Sequence, residues 1–107
     1  MTPEGAVVRA CLDFLEIKQI TAWRNNTTGI YDKKREAYRP NAGRNGVADI
    51  LGCLPGGRFL AIECKAGRGR LSEAQVEFQR DIIRQGGLHI VAYRVEDVIE
   101  VLQAEGI

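Results

Sequence analysis

The chain has one histidine, one tryptophan, one methionine and three prolines in 107 residues, and each scarcity excludes something. With His89 as the lone imidazole, a zinc hydrolase or a cysteine nucleophile would depend on this one ring, with no Cys/His pairing in the sequence to suggest either; a satisfied strand histidine in "LHIVAYR" is the expectation. Cys11, Cys53 and Cys64 are an odd number with no CxxC or Cys/His spacing, and each lies in an apolar run, so all three are expected to be reduced core residues. No apolar stretch approaches the roughly 20 residues that cross a bilayer, and "MTPEGAVVRA" lacks a basic region leading into an apolar one. The expectation is a soluble, cytoplasmic chain without a membrane partner. Repeats, low-complexity tracts and long linkers are absent, which predicts a single domain over residues 1–107.

What is present is a globular composition, 45% hydrophobic and 27% charged, with a net charge of +1 that conceals an asymmetry. Arg24, Lys33, Lys34, Arg35, Arg39 and Arg44 face only Asp32 and Glu36 between residues 24 and 46, a local +4 that leaves −3 for the rest. Such a segment is either a contact for a polyanion or a solvated loop.

Thr2 followed by Pro3 predicts an N-cap and first helical position, opening a helix to about Lys18. "ITAWRNN" reads as a strand, and residues 27–45 as a mobile loop or a twisted hairpin extension. "VADILGCL" and "RFLAIECK" are strands joined by Pro55-Gly56-Gly57, a link too short for a parallel crossover, so they are antiparallel neighbours. Ser72 with Gln75 fits a capping box and Leu71 with Val76 a hydrophobic staple, opening a helix that should end at Gly86-Gly87. "LHIVAYR" and "VEDVIEVLQAEG" complete the order α-β-β-β-α-β-α, an α/β fold with a mixed central sheet flanked by helices.

Several polar residues then fall on inward faces. Asp49 interrupts the first strand of the hairpin. Glu63 and Lys65 interrupt the second, two positions apart and so on one face, while Ile62 and Cys64 point the other way. In the first helix Val7, Val8, Cys11, Leu12, Phe14 and Leu15 share an arc. Glu4 falls near its middle, either directed at the sheet or its edge, or solvated in the first turn where it favours the helix dipole. Gln75 and Gln79 lie among Ala74, Val76, Phe78, Ile82 and Ile83 in the second helix. Unpaired carboxylates cost several kcal/mol each to bury, and these groups compensate one another best if they converge. Asp49, Glu63 and Glu4 would supply hard oxygen ligands, which suit Mg²⁺ or Mn²⁺. Beside such an ion Lys65 could hold a water that attacks a phosphodiester, or offset the charge that develops on phosphorus.

Gly46-x-x-Asp49, thirteen intervening residues and Glu63-x-Lys65 resemble the motif of PD-(D/E)XK nucleases. More narrowly, Glu4 in the first helix, "GVAD", "AIECKAG" and "LSEAQVEFQ" are similar to a stand-alone virus-type replication-repair nuclease (VRR-NUC) domain of phage or prophage type, over Glu4 to Gln79. The resemblance implies a restriction-endonuclease-like fold in which Asp49, Glu63 and the backbone carbonyl of Cys64 bind Mg²⁺ or Mn²⁺. It makes Lys65 catalytic, gives Glu4 a second metal position or a metal-bound water, and has Gln75 orient the site. Gln79 joins as a site-orienting residue from helix geometry alone. Ala48 stands where the family has proline, a change in turn shape rather than chemistry. The resemblance further implies a structure-selective DNA endonuclease, a homodimer similar to Holliday-junction resolvases, acting on branched DNA such as a four-way junction, flap or fork. Arg24, Lys33, Lys34, Arg35, Arg39, Arg44, Arg68 and Arg70 are candidates for phosphate contact, and Tyr31 and Tyr38 for stacking. The competing reading is a non-catalytic nucleic-acid-binding module that retains the nuclease fold, although such a module has no need of inward charges.

Overall fold

The computed structural model describes residues 1–25, 30–32, 37–39 and 43–107. Lys33, Lys34 and Arg35 lie outside the described residues, as do the side chains of Tyr31, Tyr38 and Arg39.

Helix α1 spans Pro3–Ile17; Thr2 Oγ1 accepts the Gly5 N–H at 3.0 Å, and Pro3 occupies the first turn, where its missing donor costs nothing. It ends in a Schellman motif: the Ile20 N–H reaches the Leu15 carbonyl and the Gln19 N–H that of Glu16, with Gln19 left-handed at φ 59°. Strand β1 is Thr21–Arg24, and a short antiparallel pair, β2 (Ile30–Asp32) and β3 (Ala37–Arg39), forms a separate ribbon, so the hairpin alternative holds for its backbone. β4 (Ile50–Cys53) and β5 (Phe59–Cys64) are antiparallel, as the short link requires. The Gly57 N–H bonds the Leu54 carbonyl, and Gly56 at φ 89° takes the third position of this Pro-Gly turn. α2 (Glu73–Arg84) carries the full capping box of Ser72 and Gln75. Its end is again a Schellman motif, with Gly86 at φ 87°, followed by β6 (Leu88–Ala92) and α3 (Val95–Ala104).

The main sheet has the order β1-β4-β5-β6, with β5 and β6 parallel and the other pairs antiparallel. This is an α/β architecture, with three helices on a four-stranded mixed sheet among the described residues. Leu60, Ile62 and Cys64 of β5 point into the larger core with Ile50, Ile90, Val8, Cys11 and Leu15 of α1, and Val98 and Leu102 of α3. Fully burying each of these aliphatic side chains is worth about 1.5–3 kcal/mol. The opposite face carries a smaller cluster, Ala48, Ala61 and Phe78, joined by Val47, Leu51 and Ile82. α2 therefore lies on the face to which Asp49, Glu63 and Lys65 belong.

Two expectations are corrected here. Cys53 is exposed, while Cys11 and Cys64 are buried; by alternation Cys53 shares the face of Leu51, and the cluster beneath α2 includes Leu51 without extending to it. Ile83 is 56% exposed, because the arc that buries Phe78 against the sheet is narrower than the apolar arc of the helix. No described helix is long and apolar enough to cross a membrane.

Candidate active site

The register of the β4–β5 hairpin builds the site. Ile50 pairs with Ile62, Leu51 with Ala61 and Gly52 with Leu60, a pattern symmetric about Gly56. One step further from the turn, Asp49 lies opposite Glu63. Cross-strand neighbours share a face, with Cβ atoms about 4.5–5.5 Å apart. Asp49 Oδ2 also accepts the backbone N–H of Cys64 at 2.8 Å, which continues the hairpin with a side chain.

Glu63 is the one charged residue buried among those described, at 3% exposure. Its Oε1 accepts from Gln75 Nε2 at 3.1 Å. Its Oε2 is buried and, among the described residues, has no donor to accept from. Burial comes first among the causes that push the Glu63 carboxyl up to about 8; a hydrogen bond with the Asp49 carboxyl and its negative charge follow, then the charge of Glu4, against the opposing charge of Lys65. As two carboxylates, Asp49 and Glu63 have no donor between them; a proton on Glu63 supplies one. A cation between them would do the same electrostatic work, and this is the test of fit for a divalent ion: an unpartnered buried oxygen beside a second hard oxygen donor. Among the described residues no three His, Cys, Asp or Glu side chains cluster as a metal cage. The remaining ligands would have to be a carbonyl such as that of Cys64, water or a substrate phosphate, as Mg²⁺ accepts.

A cleft of about 490 Å³ opens onto the pair, lined by residues of the 43–47 segment and by Asp49, Glu63, Ser72 and Gln75. Gly46 sets its wall. At φ 80°, Gly46 lies so close to the first turn of α2 that a Cβ would meet the Ala74 carbonyl at 2.3 Å and the Gln75 nitrogen at 2.7 Å. Gln75 is thereby held between the loop and Glu63, and its Oε1 accepts the Ser72 N–H at 2.8 Å. Glycine's φ freedom and its lack of Cβ are both required here.

The other expected site residues lie at varying distances from this pair. Glu4 is exposed at the start of α1, and its charge reaches Glu63 without completing a three-acid cluster. Lys65 is half-buried just beyond β5, its N–H on the Ala92 carbonyl. Gln79 does not turn to the carboxylates: its Nε2 lies 3.4 Å from His89 Nδ1. His89 packs edge-on against Phe78 with centroids 5.9 Å apart, and burial lowers its pKa, which suits a neutral ring accepting from the amide. This is the satisfied strand histidine anticipated from its setting. Arg44 is engaged within the fold, Nη2 standing 2.6 Å from Asp81 Oδ2 and the guanidinium 5.3 Å from the Phe78 centroid. Its hydrogen bond, with the Arg84 charge, holds the Asp81 carboxyl below its usual range. Arg24, Arg68 and Arg70 are exposed, and the loop bearing the last two is tied down by Tyr93 Oη, which donates to the Gly69 carbonyl at 2.7 Å.

Sequence reasoning did not single out Ser72 as a cleft residue, the Tyr93 tie, or Asn25, whose N–H donates to the Asp49 carbonyl at 2.7 Å. The capping box contained the first; the others depend on contacts distant in sequence. Comparison with models of known families, with curated proteins and with solved structures finds no match for this chain.

Proposed function

We propose that the chain is a Mg²⁺- or Mn²⁺-dependent, structure-selective DNA endonuclease with a restriction-endonuclease-like fold, of the VRR-NUC type among PD-(D/E)XK nucleases. It acts in the cytoplasm as a homodimer on branched DNA, in the manner of a Holliday-junction resolvase of phage or prophage type. The observation that carries this reading is the buried, unpartnered Glu63 Oε2 opposite Asp49 at the mouth of a polar cleft.

Asp49 and Glu63 would hold the divalent ion, with the Cys64 carbonyl beside them. When bound, the ion supplies Lewis acidity to a phosphoryl oxygen and offsets charge on the leaving oxygen. Gln75 fixes the rotamer of Glu63 through Oε1 and leaves the buried Oε2 without a donor among the described residues. Lys65, on the same face by alternation, holds the attacking water and donates to the oxygens that gain charge. Glu4 adds negative potential that attracts the cation. A four-way junction has two-fold symmetry, so paired cuts need two such sites related by an isologous interface.

The test is cleavage of labelled four-way junction, flap and linear duplex in Mg²⁺ and Mn²⁺ by wild type and by Glu63→Gln, with oligomeric state measured on the same samples. Symmetric nicking of the junction by a wild-type dimer, lost in Glu63→Gln, is expected; Asp49→Asn and Lys65→Ala should be equally inert and folded. If nothing is cut and Glu63→Gln binds DNA as well as wild type, a binding module replaces the nuclease.

A further inference from the structure

The sheet register also places the only tryptophan of the chain. Trp23 pairs with Leu51 across β1 and β4, Leu51 with Ala61, and Ala61 with His89, which forms one row across the α2 face of the sheet. The next row toward the cleft contains Asn25, Asp49 and Glu63: the Asn25 N–H bonds the Asp49 carbonyl, and Asp49 lies opposite Glu63. Trp23 and the carboxylates therefore occupy one face. Asp49 is one row away, about 7 Å along the strand, and one strand over, about 4.8 Å across. α2 covers the His89 end of this row, through Phe78. The Trp23 end remains 51% exposed on an edge strand.

Among the described residues its neighbours on the same face of β1 are Thr21 and Asn25, both polar; on β4 Leu51 beside it is half-buried, and Cys53, one row toward the turn, is exposed. A protein partner of ordinary affinity needs a continuous surface of roughly 800 Å² on each side, whereas one indole flanked by hydrogen-bonding groups matches a single planar ligand. The charge of the adjoining sequence selects its kind. The chain passes from Trp23 directly into the segment of residues 24–46, which has six basic and two acidic residues. At the far end of that segment Gly43 and Arg44 line the cleft.

We propose that Trp23 is a stacking platform for an unpaired nucleobase of the DNA strand whose phosphate enters the Asp49–Glu63 cleft. This rests on the nuclease reading and deepens it, because it names what selects the substrate. A base inside a continuous duplex has both faces covered and cannot stack on an indole; a base at a flap, fork or junction can. Trp23 would then be a specificity-determining residue, outside the chemistry itself.

Because Trp23 is the only tryptophan, its emission reports the contact without a label. Glu63→Gln protein in Mg²⁺ would be titrated with an oligo-dT strand and with a blunt duplex of equal length, each also followed by anisotropy of a fluorescent end label. Quenching of Trp23 emission by oligo-dT, and much less by duplex, is expected. In the same background Trp23→Ala should weaken oligo-dT binding on the order of ten- to a hundredfold and duplex binding little, and Trp23→Phe should restore most of the loss. Binding of oligo-dT with no change in emission, equal losses for both ligands in Trp23→Ala, or no oligonucleotide binding at all would overturn the proposal. So would a blue shift that follows protein concentration rather than oligonucleotide, which would bury Trp23 between two copies. Wild-type cleavage is read separately: cutting without quenching removes the stacking role and keeps the nuclease, and quenching without cutting does the reverse.

Discussion

Gln75 donates from Nε2 to Glu63 Oε1 at 3.1 Å while its Oε1 accepts the Ser72 N–H at 2.8 Å. One amide thus caps α2 and steadies the buried carboxyl, and the two duties separate by substitution. Gln75→Glu keeps an acceptor for the capping box but removes the donor and adds a negative charge. Its helix should remain capped, with the Glu63 pKa displaced above the wild-type value of about 8. Gln75→Ala loses both side-chain duties but keeps the N–H that Ser72 Oγ accepts, so its capping cost should stay below the loss of about 1 kcal/mol that removing an N-cap residue brings. Chemical denaturation and carbon-detected NMR titration of the Glu63 carboxyl distinguish the two variants.

The Glu63 contribution to the stability of the metal-free protein should fall as pH rises, opposite in sign to that of His89, whose pKa is lowered by burial. The Glu63 carboxyl titrates near 4.5 in the unfolded chain and about 8 in the folded one, so between those values the folded state binds the extra proton. The Glu63 contribution is constant below pH 4.5, declines through the window and levels off above 8. Glu63→Gln removes this slope. Its advantage over wild type should grow to the order of a few kcal/mol by pH 8.5, and Mg²⁺ should stabilise wild type but not the variant. Urea unfolding at pH 4.5, 6.5 and 8.5 in EDTA and in Mg²⁺ provides the check.

Gly46→Ala should be among the most disruptive substitutions in the chain. The left-handed φ of 80° disfavours a side chain, and the added Cβ meets backbone rather than a movable side chain. The left-handed penalty and overpacking together suggest a loss of roughly 2–5 kcal/mol, and any folded fraction should have its cleft deformed. A denaturant midpoint and the Mg²⁺ affinity of the soluble fraction read the two effects.

At the end of α1 the same argument has the opposite sign. Gln19 has φ 59° in a position that glycine occupies at the ends of α2 and α3, Gly86 and Gly106. Gln19→Gly should stabilise the fold by about 0.5–1 kcal/mol, read as a higher denaturant midpoint with an unchanged slope.

Local rules accounted for what the sequence disclosed. The Ser72–Gln75 box, the Thr2–Pro3 start and the Pro55-Gly56-Gly57 turn depend on residues within a few positions of one another. The turn in turn aligns Asp49 with Glu63. Gln79 was harder because its partner, His89, comes from the parallel β5–β6 register, and no short turn fixes that register. Ile83 and Cys53 failed for a related reason: periodicity identifies an apolar face without saying how far the opposing layer extends. Arg44 reads in sequence as one cation of a basic run, and only packing brings Asp81 and Phe78 to it.

The symmetry of the β4–β5 hairpin about Gly56 has a consequence for comparing this chain with others. The thirteen residues between Asp49 and Glu63 are a ruler whose slack is all at the tip. Lengthening the turn between Leu54 and Arg58 would change the count and leave the two acids facing each other. One residue gained or lost within either strand would send an acid into the α1 layer. Chains that share this site are therefore better found by counting rungs outward from a turn than by counting residues between acids.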